Sequence, residues 1–168
     1  LIIAGVESRT WDKQIALAEP GIHLAWGIHP WRVAEAPEKW EAEHRALCAI
    51  FDHPPVKPVA LGETGLDHGH RIDPLSYPQQ EEAFRHQIRL AKKHGLPLIL
   101  HIVRAHHDAV RILKDEKVQE IGGMVHSFSG NLDQAQQYMR LNLHISFAGS
   151  VVDPKNTRIR KAAASIPQ

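Results

Sequence analysis

The sequence predicts an α/β protein built on a parallel β-sheet. Two observations predict it: short apolar runs alternate with amphipathic helical stretches, and each run is bounded by Gly, Pro or polar residues. A third observation concerns chemistry. Four of these runs are followed closely by His or Glu.

The apolar runs are Leu1 to Val6, His23 to Ile28, Val59 to Leu61, Leu98 to Leu100, Gly123 to Val125 and His144 to Phe147. Their brevity and near-continuous hydrophobicity suit strands buried on both faces. The helical stretches come between them. Trp11 to Ala18 carries Trp11, Ile15 and Ala18 on one face. Pro37 to Phe51 spaces Trp40, Leu47 and Ile50 helically, with Pro37 suited to a first turn. Gln79 to His94 has the clearest stripe, Phe84, Ile88 and Ala91, followed by a capping Gly95 and a terminating Pro97. His106 to Glu116 buries Ala109, Val110 and Leu113, and Leu132 to Leu141 repeats the pattern with Ala135 and Tyr138 or Met139. About six strand-like runs fit either a doubly wound sheet or part of a barrel, which needs about eight. Periodicity does not choose between them.

The bulk properties narrow the class. The chain has 168 residues, 43% hydrophobic and 23% charged, as expected for one globular domain spanning 1–168. A net charge of +1 gives no broad basic field, so any affinity for nucleic acid must come from a local patch or a metal. One cysteine, Cys48, excludes an intrachain disulfide framework and a cysteine zinc site. No apolar run approaches the ~20 residues of a membrane span. Nothing resembles a signal peptide, so the expected location is cytoplasmic. The chain opens on an apolar run without methionine and stops at Ile166-Pro167-Gln168, so both ends read as cut.

The strand ends carry the chemistry. The segments Gly27-Ile28-His29-Pro30, Leu61-Gly62-Glu63-Thr64-Gly65-Leu66-Asp67, Leu100-His101 and Val125-His126-Ser127 each follow an apolar run. In parallel α/β folds the carboxyl ends of strands share one face, and that face holds the active site. Imidazoles and a carboxylate there form a ligand set for zinc, manganese or a similar divalent ion. Singly, such a histidine more often bonds a neighbouring loop, and a lone Glu63 is as readily a helix cap or an arginine partner. Corresponding positions in successive βα units favour the metal reading.

These segments resemble the TatD-type metal-dependent hydrolases. Gly62 to Asp67 is similar to that family's G-E-x-G-L-D, Gly27 to Pro30 to its G-[IL]-H-P, Leu96 to His101 to its L-P-[VL]-[IV]-[IL]-H, and His126 to Gly130 to its H-x-F-S-G. Ile145 to Gly149 resembles the next strand. The resemblance implies a TIM-type (β/α) barrel of the amidohydrolase kind, here incomplete: about six of eight βα units, without the first and last strands. It implies a two-metal phosphodiesterase acting on DNA, exonuclease-like, with zinc, magnesium or manganese. Glu63 would bridge the ions, with His101 and His126 as terminal ligands. His29 would orient substrate or hydrogen-bond a ligand from behind, or else serve as a structural histidine before Pro30.

Two departures weaken the match. The family's opening H-x-H and its late E-T-D aspartate are absent. The family's H-x-R is also replaced by His101-Ile102-Val103-Arg104, although Arg104 is the candidate for stabilising phosphate oxygens. The expected consequences are impaired activity and self-association through open barrel edges, with no membrane and no other stable protein partner. Asp67 is expected to order a loop, and Ser127 and Ser129 to cap the next helix. The basic cluster Lys155, Arg158, Arg160 and Lys161 reads as a solvated helix face or a DNA-backbone contact. The competing functions are an amidohydrolase-type esterase or amidase, and a non-catalytic barrel relic.

Overall fold

The computed structural model describes residues 1–167. Six strands form one sheet in chain order: β1 (Ile2–Ala4), β2 (His23–Trp26), β3 (Ala60–Asp67), β4 (Leu98–Val103), β5 (Gly123–His126) and β6 (Leu143–Ile145). Every neighbouring pair is parallel. A doubly wound sheet reverses direction and places later strands outside the first. Here the order never reverses, which is the arrangement of a barrel wall. The wall is open, since β1 and β6 do not pair with each other.

Seven helices occupy the connections: α1 (Trp11–Ile15), α2 (Pro30–Glu35), α3 (Trp40–Asp52), α4 (Tyr77–His94), α5 (His106–Asp115), α6 (Leu132–Met139) and α7 (Thr157–Ser165). α4 buries Ala83, Phe84, Gln87, Ile88 and Ala91. It ends where Gly95 turns left-handed at φ 62 and its N–H bonds the Ala91 carbonyl. Asn131 caps α6 and Gln134 returns the bond, so the capping role expected of Ser127 and Ser129 belongs to Asn131. α1 is shorter than its apolar stripe suggested.

Strand alternation sorts the side chains into two layers. Leu24, Trp26, Leu61, Leu98, Leu100 and Val125 face the helices in the main core. Ala25, Ala60 and Ile99, with Ala4 and Met124, form a smaller cluster on the other face. Continuing that parity to the strand ends sends His101 (two after Ile99) and His126 (two after Met124) to this second, inner face. Strict alternation would turn Glu63 the other way. The β3–β4 register shifts between Leu61 and Thr64, and this irregularity returns Glu63 to the inner face.

Candidate metal centre

The inner-face side chains meet at the carboxyl ends of β2 to β5. Glu63 Oε1 stands 3.8 Å from His101 Nδ1 and 3.7 Å from His126 Nε2, and its Oε2 stands 3.9 Å from His29 Nε2. β4 and β5 pair His101 directly with His126, and β3 sets Gly65 beside His101. Two glycines permit this crowding. A Cβ on Gly65 would lie 2.1 Å from the His101 carbonyl oxygen, and one on Gly27 would lie 2.7 Å from the Glu63 carbonyl oxygen.

These separations are too long for hydrogen bonds. Ligands bound to one zinc-like ion at about 2.1 Å stand roughly 3.4 Å apart in tetrahedral geometry. The observed spacing is slightly wider, so a divalent cation fits between these groups. His29, Glu63 and His101 each offer an atom within 4.8 Å of the others. By that measure the group includes His29 and leaves out His126, which approaches Glu63 alone at 3.7 Å.

The hydrogen bonds around the rings distinguish the histidines. Asp67 Oδ2 lies 2.8 Å from His101 Nε2. Asp67 is buried, which tends to raise its carboxyl. Hydrogen bonds from His101, Trp31 and the Gly69 amide reverse that and hold it below the usual carboxylate range. An ionised Asp67 makes His101 Nε2 the donor, so in the neutral ring Nδ1 keeps its lone pair toward Glu63. His29 has the opposite arrangement. It is the N-cap of α2, where Pro30 opens the helix and His29 Nδ1 accepts the Trp31 amide at 3.2 Å. Burial, and next the charge on His101, push its pKa down to about 4, so the ring is neutral near pH 7. Its single proton therefore sits on Nε2, on the side of Glu63 Oε2, 3.9 Å away.

Glu63 is also shifted. Burial raises its carboxyl, but the facing imidazoles of His101, His29 and His126 outweigh that and hold it below the ordinary range. His101 shows the converse: burial lowers it, while Glu63 and Asp67 raise it above the usual imidazole value. Both carboxylates thus favour a second proton on His101. His126 is the most exposed of the four and touches Ser127 Oγ at 2.9 Å.

The centre opens into a cleft of about 440 Å³ whose lining includes Trp31, Arg32 and Glu7 besides the four groups above. Arg104 does not line it. Its Nη1 lies 3.2 Å from His70 Nδ1 on the neighbouring rim. Asp67 does more than order a loop. It bonds the Gly69 amide as a loop-ordering group does, but its other oxygen holds His101 and the Trp31 indole N–H, at 2.6 Å. Its place at the end of the Glu63 segment was the available signal. Trp31 was signalled only by adjacency to His29-Pro30.

The family model described as TatD related DNase matches residues 1–168. The chain is 33% identical over 169 residues to the uncharacterized metal-dependent hydrolase YabD of Bacillus subtilis, covering 99% of this chain and 64% of that protein. It is 31% identical over 158 residues to a Rahnella protein named 3'-5' ssDNA/RNA exonuclease TatD, covering 92% of this chain and 57% of that one. The crystal structure of YjjV, a TatD homologue from Escherichia coli, superposes with a TM-score of 0.89 at 29% identity, over 99% of this chain and 62% of the other. The chain thus spans somewhat under two thirds of the length of these relatives.

Proposed function

The chain belongs to the family of TatD-related DNases, and from that premise we propose that it forms part of a metal-dependent phosphodiesterase acting on nucleic acid. One observation carries the reading. The Glu63 carboxylate faces His101 Nδ1 at 3.8 Å and His126 Nε2 at 3.7 Å, close to the spacing of groups that share a cation, with His29 Nε2 beside it at 3.9 Å. The printed name of the Rahnella relative adds single-stranded DNA or RNA as substrate class.

In this reading Glu63, His101 through Nδ1 and His126 through Nε2 hold the ion. The bound ion supplies electrophilic polarisation of the phosphodiester. Asp67 locks the His101 ring so that a lone pair points inward. His29 directs its Nε2–H toward Glu63 Oε2 and orients the carboxylate from behind. Trp31 closes the far side of Asp67. Imidazole donors favour zinc over magnesium or manganese. The 168 residues act as one partial barrel domain, and three protein ligands hold one ion rather than two.

The test is metal content and DNA degradation by the chain, with and without chelator, beside Glu63→Ala. One ion per chain and loss of both metal and activity in the variant are expected. Two tightly held ions would overturn the one-ion assignment. Wild-type activity in Glu63→Ala would remove the centre from the reaction. Turnover of carboxylic esters but not of DNA would reassign the substrate.

A further inference from the structure

Trp31 is the one tryptophan at the surface: it is 58% exposed, whereas Trp11, Trp26 and Trp40 are 5% exposed or less. A lone exposed apolar side chain is unremarkable by itself. This one is held in place. Its indole N–H donates to Asp67 Oδ2 at 2.6 Å, and its ring meets the His29 and His101 rings edge-on at 4.9 and 5.8 Å. The polar edge is turned inward and satisfied, and much of the ring remains open to solvent.

Trp31 also stands between two cavities. On one side is the metal cleft. On the other is a cavity of about 560 Å³, lined by Trp31, His70, Arg71 and Ile72 over a floor that includes Asp67. Both Asp67 oxygens are already engaged, by His101 and Trp31 on one and the Gly69 amide on the other. The cationic groups here are free of carboxylates, although Arg104 is in contact with His70 at 3.2 Å. Among the described residues, Arg71 and Arg104 have no carboxylate partner within 4.0 Å, whereas Arg32, Arg85, Arg89 and Arg111 each have one. Arg104 reaches the same rim through His70.

We propose that this second cavity is a nucleotide subsite: a base of a single-stranded substrate stacks on the open face of Trp31, and Arg71 and Arg104 each take one of the adjoining backbone phosphates. The inference rests on the nucleic-acid reading above and deepens it. A fixed aromatic face suits any base, because every base has a π-surface, and free guanidiniums beside it supply the backbone contacts. Duplex DNA keeps its bases stacked inside and offers none to Trp31, so the subsite selects single strands or frayed ends.

The experiment measures tryptophan fluorescence and binding in excess chelator, so that nothing is hydrolysed. The probes are the tetranucleotide dT4 and an abasic tetranucleotide with the same phosphates. dT4 is expected to quench the fluorescence and to bind about tenfold more tightly than the abasic probe. Trp31→Ala should lose the quenching and that advantage. Trp31→Phe should lose the quenching but keep most of the affinity. Arg71→Gln and Arg104→Gln should each reduce the slope of log affinity against log salt by about 0.7. Arg140→Gln, exposed and unpaired at the far end of α6, should leave the slope unchanged. Equal binding of the two probes, or unchanged dT4 affinity in Trp31→Ala with its fold intact by circular dichroism, would overturn the subsite. The two proposals fail separately. Trp31-dependent binding without Glu63-dependent hydrolysis sinks the phosphodiesterase reading alone. Glu63-dependent hydrolysis of dT4 with kcat/KM unaltered in Trp31→Ala sinks the subsite alone.

Discussion

Charge is concentrated in two regions, the inner-face centre and the outer surface where α4 meets α5, and the two handle it differently. On the outer surface Glu116 accepts from Arg85 at 3.1 Å and from Arg89 at 2.7 and 2.9 Å, Asp115 holds Arg85 at 2.8 Å, and Arg111 pairs with Glu81 at 2.8 Å. Each charge is met at hydrogen-bonding distance. In the centre, Glu63 is drawn inward yet its imidazole neighbours stop at 3.7 to 3.9 Å. A satisfied cluster needs no further partner and acts as structure. A buried, convergent and incompletely paired cluster is costly without a cation, because a desolvated carboxylate lacks its full complement of bonds. The contrast supports reading the first region as structure and is the reason the second is proposed as a cation site.

Substitutions in the two regions should therefore differ in kind. The largest effect is expected from Glu63→Ala, which removes the group common to every approach in the centre. Metal content measured by atomic spectroscopy should fall to background. Asp67→Asn comes next. It leaves Glu63 and the imidazoles in place but no longer enforces the Nε2–H tautomer of His101, so metal affinity should fall by about 10- to 100-fold. Competition with a chromogenic chelator measures the affinity, and nitrogen NMR of the imidazoles reads the tautomer. Retention of both full affinity and the Nε2–H form would make Asp67 a packing residue only.

Acid should destabilise the folded chain through the buried imidazoles. His29 and His106 are each lowered to about 4, mainly by burial. Between about pH 6.5 and 4 the unfolded chain binds one more proton at each, so stability falls as pH is lowered across that window. Below it, Glu63 and Asp67, both held under their ordinary values, lose their contribution as they protonate. His101, raised by Glu63 and Asp67, acts in the opposite sense: its contribution is full below its unfolded pKa and is lost as pH rises through the folded value. His106→Gln should reduce the proton dependence of urea unfolding between pH 6.5 and 4 by about one proton. An unchanged slope would exclude His106 as a contributor.

The smallest effect belongs to the outer surface. Arg89 is 60% exposed, so Arg89→Gln should cost at most about 1 kcal/mol in urea unfolding and leave metal affinity unchanged. A large loss of metal from that variant would break the distinction between the two regions.

Much of the fold was legible because its signals are local. The helical stripe of Phe84, Ile88 and Ala91, stopped by Gly95, appears as expected in α4. β3 was harder to read. Gly62 and Gly65 look like breakers after Leu61, but the strand runs on to Asp67 because both glycines admit β4 at close range. α2 was missed, since six residues carry too little periodicity. It forms because Pro30 suits the first turn and His29 caps it. α7 was visible only as the basic cluster around Arg158.

The sequence by itself determined the strand–helix alternation and the kinds of group standing at the strand ends, because periodicity, turn residues and ligand chemistry are properties of short segments. Only the tertiary structure decided the sequential strand order, the register shift that turns Glu63 inward, and which nitrogen of each histidine faces the centre. It alone brought Asp67 to His101 and Trp31, 34 and 36 positions away. Those outcomes depend on contacts between strands and loops far apart in the chain, and a hydrogen bond across such a gap leaves no pattern in the residues on either side.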